Sequence, residues 1–238
     1  MLPHTLYRPV KSMLPDFLAN FIRRIATAFL TPIYFSKLSG HFHSSITGKP
    51  QNSTHQAIPW YTYPTIEQIT HKNFNTKNVL EFGAGMSTLW WAQQAASVTA
   101  FESDPAWHSE LVGKAPPNTT IHLVEENLVT VEKVLCDQKF DVIVIDGLYR
   151  YEAALIATRH LEEQGLIILD NSDISWGPNG QQADHGNLIA DYMYEAGFSR
   201  IDYYGHAPAI IRPQATSIFF NNTCFLFREA DHPRKLTE

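Results

Sequence analysis

The chain has 238 residues, 44% hydrophobic and 18% charged, enough for one α/β core with an extension and too apolar for a disordered polypeptide. A formal net charge of −6 and the lack of any Lys/Arg run exclude a polyanion-binding face, so no nucleic-acid partner is expected. Two cysteines, Cys136 and Cys224, sit far apart in apolar runs, which excludes a disulfide framework or a Cys-rich metal site and predicts buried thiols in a reducing compartment.

Leu14, Phe17, Leu18, Phe21, Ile22, Ile25 and Phe29 recur at helical spacing, with Asp16, Asn20, Arg23, Arg24 and Thr27 opposite, and Pro32 is expected to end this helix. Its apolar face is compatible with docking on the domain, with a membrane surface, or with another subunit of an oligomer. No apolar run is long enough to span a bilayer and no cleavable leader is recognisable, so a cytoplasmic chain is expected, with membrane association through this helix as the variant. Residues Gly40 to Gln56, rich in Ser, Thr, His, Gly and Asn, read as a flexible linker. These boundaries divide the chain into residues 1–57, helix and linker, and residues 58–238, the main domain. The latter opens on Ile58-Pro59-Trp60-Tyr61-Thr62-Tyr63-Pro64, an aromatic segment stiffened by prolines, and a short helix from Thr65 to Thr70.

From Asn78 onward apolar strands alternate with amphipathic helices, the pattern of a parallel sheet covered on both faces. Strands are predicted at Val79–Phe82, Val98–Phe101, Ile121–Val124, Phe140–Ile145, Leu166–Leu169 and Ser199–Tyr203, and a last one within Ser217–Phe227. Helices are predicted near Ser87–Ala96, Pro105–Lys114, Val129–Cys136, Tyr151–Glu163 and Leu188–Glu195. The fold class is therefore α/β: a Rossmann-like sheet of seven mostly parallel strands, with an N-terminal helical extension.

Chemistry should concentrate in the loops after the strands. Gly83 and Gly85 follow the first strand, where the backbone can approach a ligand and the next helix offers unpaired N–H groups, with Ser87 or Thr88 as its cap. Thr88 stands where a dinucleotide fingerprint has its third glycine, and Glu81 precedes the loop; a carboxylate suits an ammonium-bearing ligand better than a pyrophosphate. Glu102 follows the second strand about twenty residues beyond the glycines, the separation expected of a ribose-binding acid.

The segments Glu81 to Gly85, Phe101 to Asp104 and Phe140 to Gly147 resemble successive motifs of class I S-adenosylmethionine-dependent methyltransferases, over residues 58 to 228. Within that class the chain resembles a poorly characterised bacterial group with a Pro-Trp-x-Thr-Tyr-Pro segment, here Pro59 to Pro64, an Asp-Gly-x-x-Arg loop, Asp146 to Arg150, and an Asp-Asn-Ser-Asp loop, Asp170 to Asp173. The resemblance implies S-adenosylmethionine as cofactor and methyl transfer to a small-molecule or glycan acceptor. It places Gly83, Gly85 and Ser87 beneath the cofactor, Glu81 toward its methionine end, Glu102 and Ser103 at the ribose, and Asn127 at the adenine edge. Trp60 and Tyr63 would close over it, and Asp146 would border it.

Asp146, Asp170 and Asn171 end the fourth and fifth strands, so their oxygens can converge on a hard cation such as Mg²⁺. That is similar to the catechol-type O-methyltransferases, where a metal activates the acceptor hydroxyl and O-methylation results. The alternative has Asp146 orienting cofactor or acceptor while Asp170 and Asn171 shape a loop. Where those enzymes carry a lysine base, this chain has Tyr149 and Arg150; Arg150 is suited to clamping an anion, and Tyr149, Asp173 and His206 are candidate bases. Two competing functions fit a similar sheet: a nicotinamide-dependent oxidoreductase, disfavoured by the missing third glycine, and a non-catalytic cofactor-binding module.

Overall fold

A computed structural model describes residues 15–124, 128–147, 149–174 and 186–227. Among them, seven strands form one sheet: β1 (Asn78–Phe82), β2 (Ser97–Glu102), β3 (Thr119–Leu123), β4 (Phe140–Ile145), β5 (Leu161–Leu169), β6 (Ser199–Gly205) and β7 (Gln214–Phe220). Their order is β3-β2-β1-β4-β5-β7-β6. The first five run parallel, and β7 lies antiparallel between β5 and β6. The seven-stranded, mostly parallel α/β sheet expected from the alternating pattern is observed.

The helices are α1 (Asp16–Leu38), α2 (His41–Thr47), α3 (Tyr63–Thr70), α4 (Met86–Gln94), α5 (Pro105–Val112), α6 (Val131–Leu135), α7 (Arg150–His160) and α8 (Gly186–Glu195). Side chains alternate across the strands, so each central strand feeds two cores. Leu80, Phe82, Ile143, Ile145, Ile167 and Leu169 pack with α6, α7 and α8. Val79, Val142, Val144, Leu166 and Ile168 face the other way, toward Tyr61, Ile66 and Ile69 of the aromatic segment and α3 and Trp90 and Trp91 of α4. Because both faces of β4 are covered, Phe140 and Val142 to Ile145 are all buried, which explains its near-continuous apolar run.

Several local expectations are corrected. Helix α1 continues through Pro32 to Leu38, its last turn held by Phe35 edge-on to Tyr63 at 5.3 Å and by Ser39 N–H donating to Phe35 O. Residues 40–57 contain α2 and a Gln51–Ala57 bridge, with Ser44 Oγ donating to Gln51 O at 3.0 Å, so the polar segment is built rather than irregular. Strand β5 starts at Leu161, directly after α7, because Leu161 pairs with Phe140 before the register shifts and pairing resumes at Leu166. Cys224 is buried as expected, but Cys136 is exposed: α6 ends at Leu135 and Cys136 turns away at φ +51°. Among the described residues no helix is long and apolar enough to cross a membrane.

Candidate active site

Strands β1 and β4 are neighbours although β1 also pairs with β2, so connections leave toward opposite edges and a crevice opens at their carboxyl ends. Two glycines let the backbones meet there. Gly83 has φ +96°, and a Cβ on it would stand 2.4 Å from Asp146 O; one on Gly147 would stand 2.9 Å from Gly83 Cα. Gly85 is different. Its φ of −165° suits any residue, and a Cβ would meet nothing closer than Ser87 Oγ at 3.7 Å, so its bareness leaves room in the cleft. The resulting cleft of about 770 Å³ is lined by Gly83, Gly85 and Ser87, by Phe101, Glu102 and Ser103, and by residues of the β4 and β5 loops.

Glu102 is almost fully buried at the rim of this cleft. Its Oε1 accepts from Ser103 N–H at 2.7 Å and Asp104 N–H at 2.8 Å, and its Oε2 from Ala84 N–H at 3.0 Å. A carboxylate oxygen accepts about two hydrogen bonds in its plane, so Oε2 keeps acceptor capacity. Three main-chain donors thus lock the side chain before any ligand arrives. The adjoining wall is apolar: Phe101, Val124 and Leu128, with Trp107 held by its Nε1–H donating to Ala84 O at 2.8 Å. Asp104, capping α5 through Ala106 and Trp107 N–H, positions that tryptophan.

Glu81 lies beneath the floor rather than on it. Sharing the parity of Val79, it points into the layer between sheet and α4 and is fully buried. Gly85 N–H donates to Thr88 Oγ1 at 2.8 Å, and Thr88 Oγ1 donates in turn to Glu81 Oε2. Oε1 has no partner. Burial pushes the carboxyl up to about 8, and nearby Asp146 and Glu102 push the same way, against the hydrogen bond from Thr88.

Asp146, Asp170 and Asn171 do converge, but around a guanidinium. Arg150 Nε donates to Gly147 O at 3.0 Å, Nη1 to Asp170 O, and Nη2 to Asn171 Oδ1 at 3.3 Å, with Nη2 3.6 Å from Asp146 Oδ1. Asp170 Oδ1 accepts from Thr216 Oγ1 at 2.6 Å. A divalent ion among these oxygens would face a fixed positive charge a few ångströms away, so the residues do not fit one. The expectation of Mg²⁺ on Asp146, Asp170 and Asn171 is corrected accordingly. Burial raises Asp146 to about 6, opposed by Arg150. Asp170 is raised well above the usual carboxylate range by burial and by Asp146, against Thr216 and Arg150.

Of the remaining sequence candidates, Trp60, Tyr149 and Asp173 line the cleft. Trp60 Nε1–H donates to Pro208 O at 2.6 Å, and Tyr149 stands at the N-cap of α7 with φ +57°. Tyr63 and His206 do not reach it. Tyr63 N–H donates to His206 O at 2.8 Å, its ring meets Phe35, and its hydroxyl lies 3.4 Å from His41 Nδ1, so both residues serve the seam between α1–α2 and the sheet. Asn127 lies outside the described residues. Sequence reasoning passed over Trp107 and the bonding role of Thr88; their spacing, three residues after Asp104 and after Gly85, carried the available signal. Lys49 and Gln214 also line the cleft, brought there from distant elements.

Residues 80–172 match the family model of a methyltransferase domain. No curated protein matches the sequence. Among solved structures, the O-methyltransferase TomG from Streptomyces achromogenes, in complex with S-adenosylmethionine, superposes with TM-score 0.54 at 13% identity, covering 79% of this chain and 94% of that one. A Staphylococcus aureus protein assigned as a caffeoyl-CoA O-methyltransferase gives TM-score 0.51 at 20% identity, covering 83% and 99%. A Klebsiella pneumoniae protein assigned as an O-methyltransferase gives 0.50 at 18%, covering 61% and 73%. At these identities the likeness is one of fold.

Proposed function

We propose, from the premise that the chain carries a class I S-adenosylmethionine-dependent methyltransferase domain, that its cleft holds this cofactor and methylates a hydroxyl of a small-molecule or glycan acceptor. The observation that carries the reading is Glu102: a buried carboxylate, preset by three backbone N–H groups beside a glycine floor, with acceptor capacity left for a vicinal diol. Phe101, Trp107, Val124 and Leu128 form a slot for a flat base. The unpartnered Oε1 of Glu81 suits an ammonium group arriving above the floor, directly or through water. Trp60 covers the rim, and Gly83, Gly85 and Ser87 leave space for close backbone approach.

When bound, the cofactor supplies a sulfonium methyl that passes in line to an acceptor lone pair, the sulfur keeping the bonding pair. The protein's part is to orient the acceptor and exclude water. Asp146, Asp173, Tyr149 and Gln214 give that end of the cleft a hydrogen-bonding character suited to a hydroxylated molecule. Asp146, which the Arg150 guanidinium favours in its charged form, is placed to take the acceptor proton, while Arg150 holds the β4 and β5 loops in register around it.

Isothermal titration with S-adenosylmethionine tests the reading. Binding by wild type is expected, with Glu102→Ala, titrated well below its own melting temperature, weaker by at least about tenfold, since a charged hydrogen bond is worth about 1.5–3 kcal/mol; the variant also melts lower, because Ala84, Ser103 and Asp104 N–H lose their acceptor. Folded wild type that gives no heat with S-adenosylmethionine refutes it.

A further inference from the structure

Helix α1 is amphipathic in the reverse of the usual sense. Its small or single apolar residues, Ala19, Ala26 and Leu30, turn inward and are buried or half-buried. Its large ones face outward: Phe17, Phe21, Phe29 and Ile33 are 76%, 60%, 71% and 63% exposed, and Ile22 and Ile25 share their side. From Phe17 to Ile33 the helix presents this stripe over about 24 Å. The stripe runs on into α2: Ile33 and Phe42 line one hollow with Pro32, Lys37 and His43, and Phe42 is 61% exposed. Scattered exposed apolar residues are ordinary, but a contiguous helix face of phenylalanine and isoleucine marks an interaction surface.

Charge decides what covers it. Residues 1–38 carry Arg8, Lys11, Arg23, Arg24 and Lys37 against the single acid Asp16, in a chain whose formal net charge is −6. On the helix itself, Arg24 and Lys37 flank the apolar stripe on either side, where long cationic side chains extend toward a headgroup layer. Two copies joined through this face would bring like-charged segments together; an anionic surface attracts them. We infer that α1 and the start of α2 form a peripheral docking surface for an anionic phospholipid bilayer, lying in its interface with the phenylalanines inserted. Helix α2 leads directly into Gly48, Lys49 and Pro50 on the cleft rim, so a short stretch of chain joins the docking face to the cleft.

Co-sedimentation of the full chain with phosphatidylcholine vesicles, with or without 30% phosphatidylglycerol, tests this. Binding is expected only to the anionic vesicles and should weaken with salt. Arg24→Ser/Lys37→Ser should bind about 30-fold more weakly, about fivefold per basic residue near the surface. Phe21→Ser/Phe29→Ser should abolish sedimentation while retaining S-adenosylmethionine affinity, which keeps the outcome separate from that of the cleft. The inference is overturned if wild type stays in the supernatant, if both variants sediment like wild type, or if wild type is a dimer that the phenylalanine variant makes monomeric without any vesicle binding.

Discussion

Replacing Glu81 by Gln separates the two demands that meet beneath the glycine floor. In the folded protein the Glu81 carboxyl is raised from 4.5 to about 8, chiefly by burial. The unfolded chain releases that proton near pH 4.5, so between 4.5 and 8 the folded state binds one proton more. Stability therefore falls as pH rises through this window and levels off above it. At about 1.36 kcal/mol per pH unit, the loss is about 3 kcal/mol at pH 7 and about 5 kcal/mol above pH 8. A glutamine keeps the size and the acceptor for Thr88 but has no proton to lose. Urea unfolding of wild type and Glu81→Gln should then coincide near pH 5 and diverge with rising pH, the variant melting on the order of 10 °C higher at pH 8.5. Asp146 and Asp170 titrate in both proteins, so the difference between the curves belongs to Glu81. The same variant should bind S-adenosylmethionine more weakly, because an ammonium prefers a carboxylate, and only wild type should release a proton on binding. Stability curves that stay parallel at every pH refute the reasoning, and so does a variant less stable throughout.

The two glycines of the loop should respond oppositely to substitution. Gly83→Ala places a Cβ 2.4 Å from Asp146 O at a positive φ and is expected to cost at least about 3 kcal/mol in thermal or urea unfolding. Gly85→Val, at an extended φ with open space above it, should melt within about 1 kcal/mol of wild type yet lose cofactor binding by calorimetry. Arg150→Ala leaves Asp146 and Asp170 without their shared cation and should cost about 3–5 kcal/mol. It should also make the melting temperature responsive to added Mg²⁺, whereas wild type stays unresponsive.

Much of the architecture was legible because its signals are local. A strand buried on both faces, such as Phe140–Ile145, must be near-continuously apolar, and an acid at the carboxyl end of β2, like Glu102, ends up at the head of the sheet. Errors arose where a residue's role depends on partners distant in sequence. Tyr63 and His206 looked like site residues from their neighbours in the chain, yet α1 and α2 come back onto them, with Phe35 and His41 against both rings. Asp146, Asp170 and Asn171 looked like a cation site, and the cation proved to be Arg150, only four residues beyond Asp146.

Periodicity and turn chemistry, which act over a few residues, were enough to set which segments become strands, the glycine-bearing first loop and the acids at the carboxyl ends of β1, β2, β4 and β5. It took the packing of distant segments to put Glu81 below the floor with an unpartnered oxygen, to set a guanidinium between the β4 and β5 loops, and to turn the phenylalanines of α1 outward. Those three outcomes follow from which surfaces pack together. Packing depends on contacts among β1, α4, β4, β5 and the N-terminal arm that no local stretch of sequence encodes.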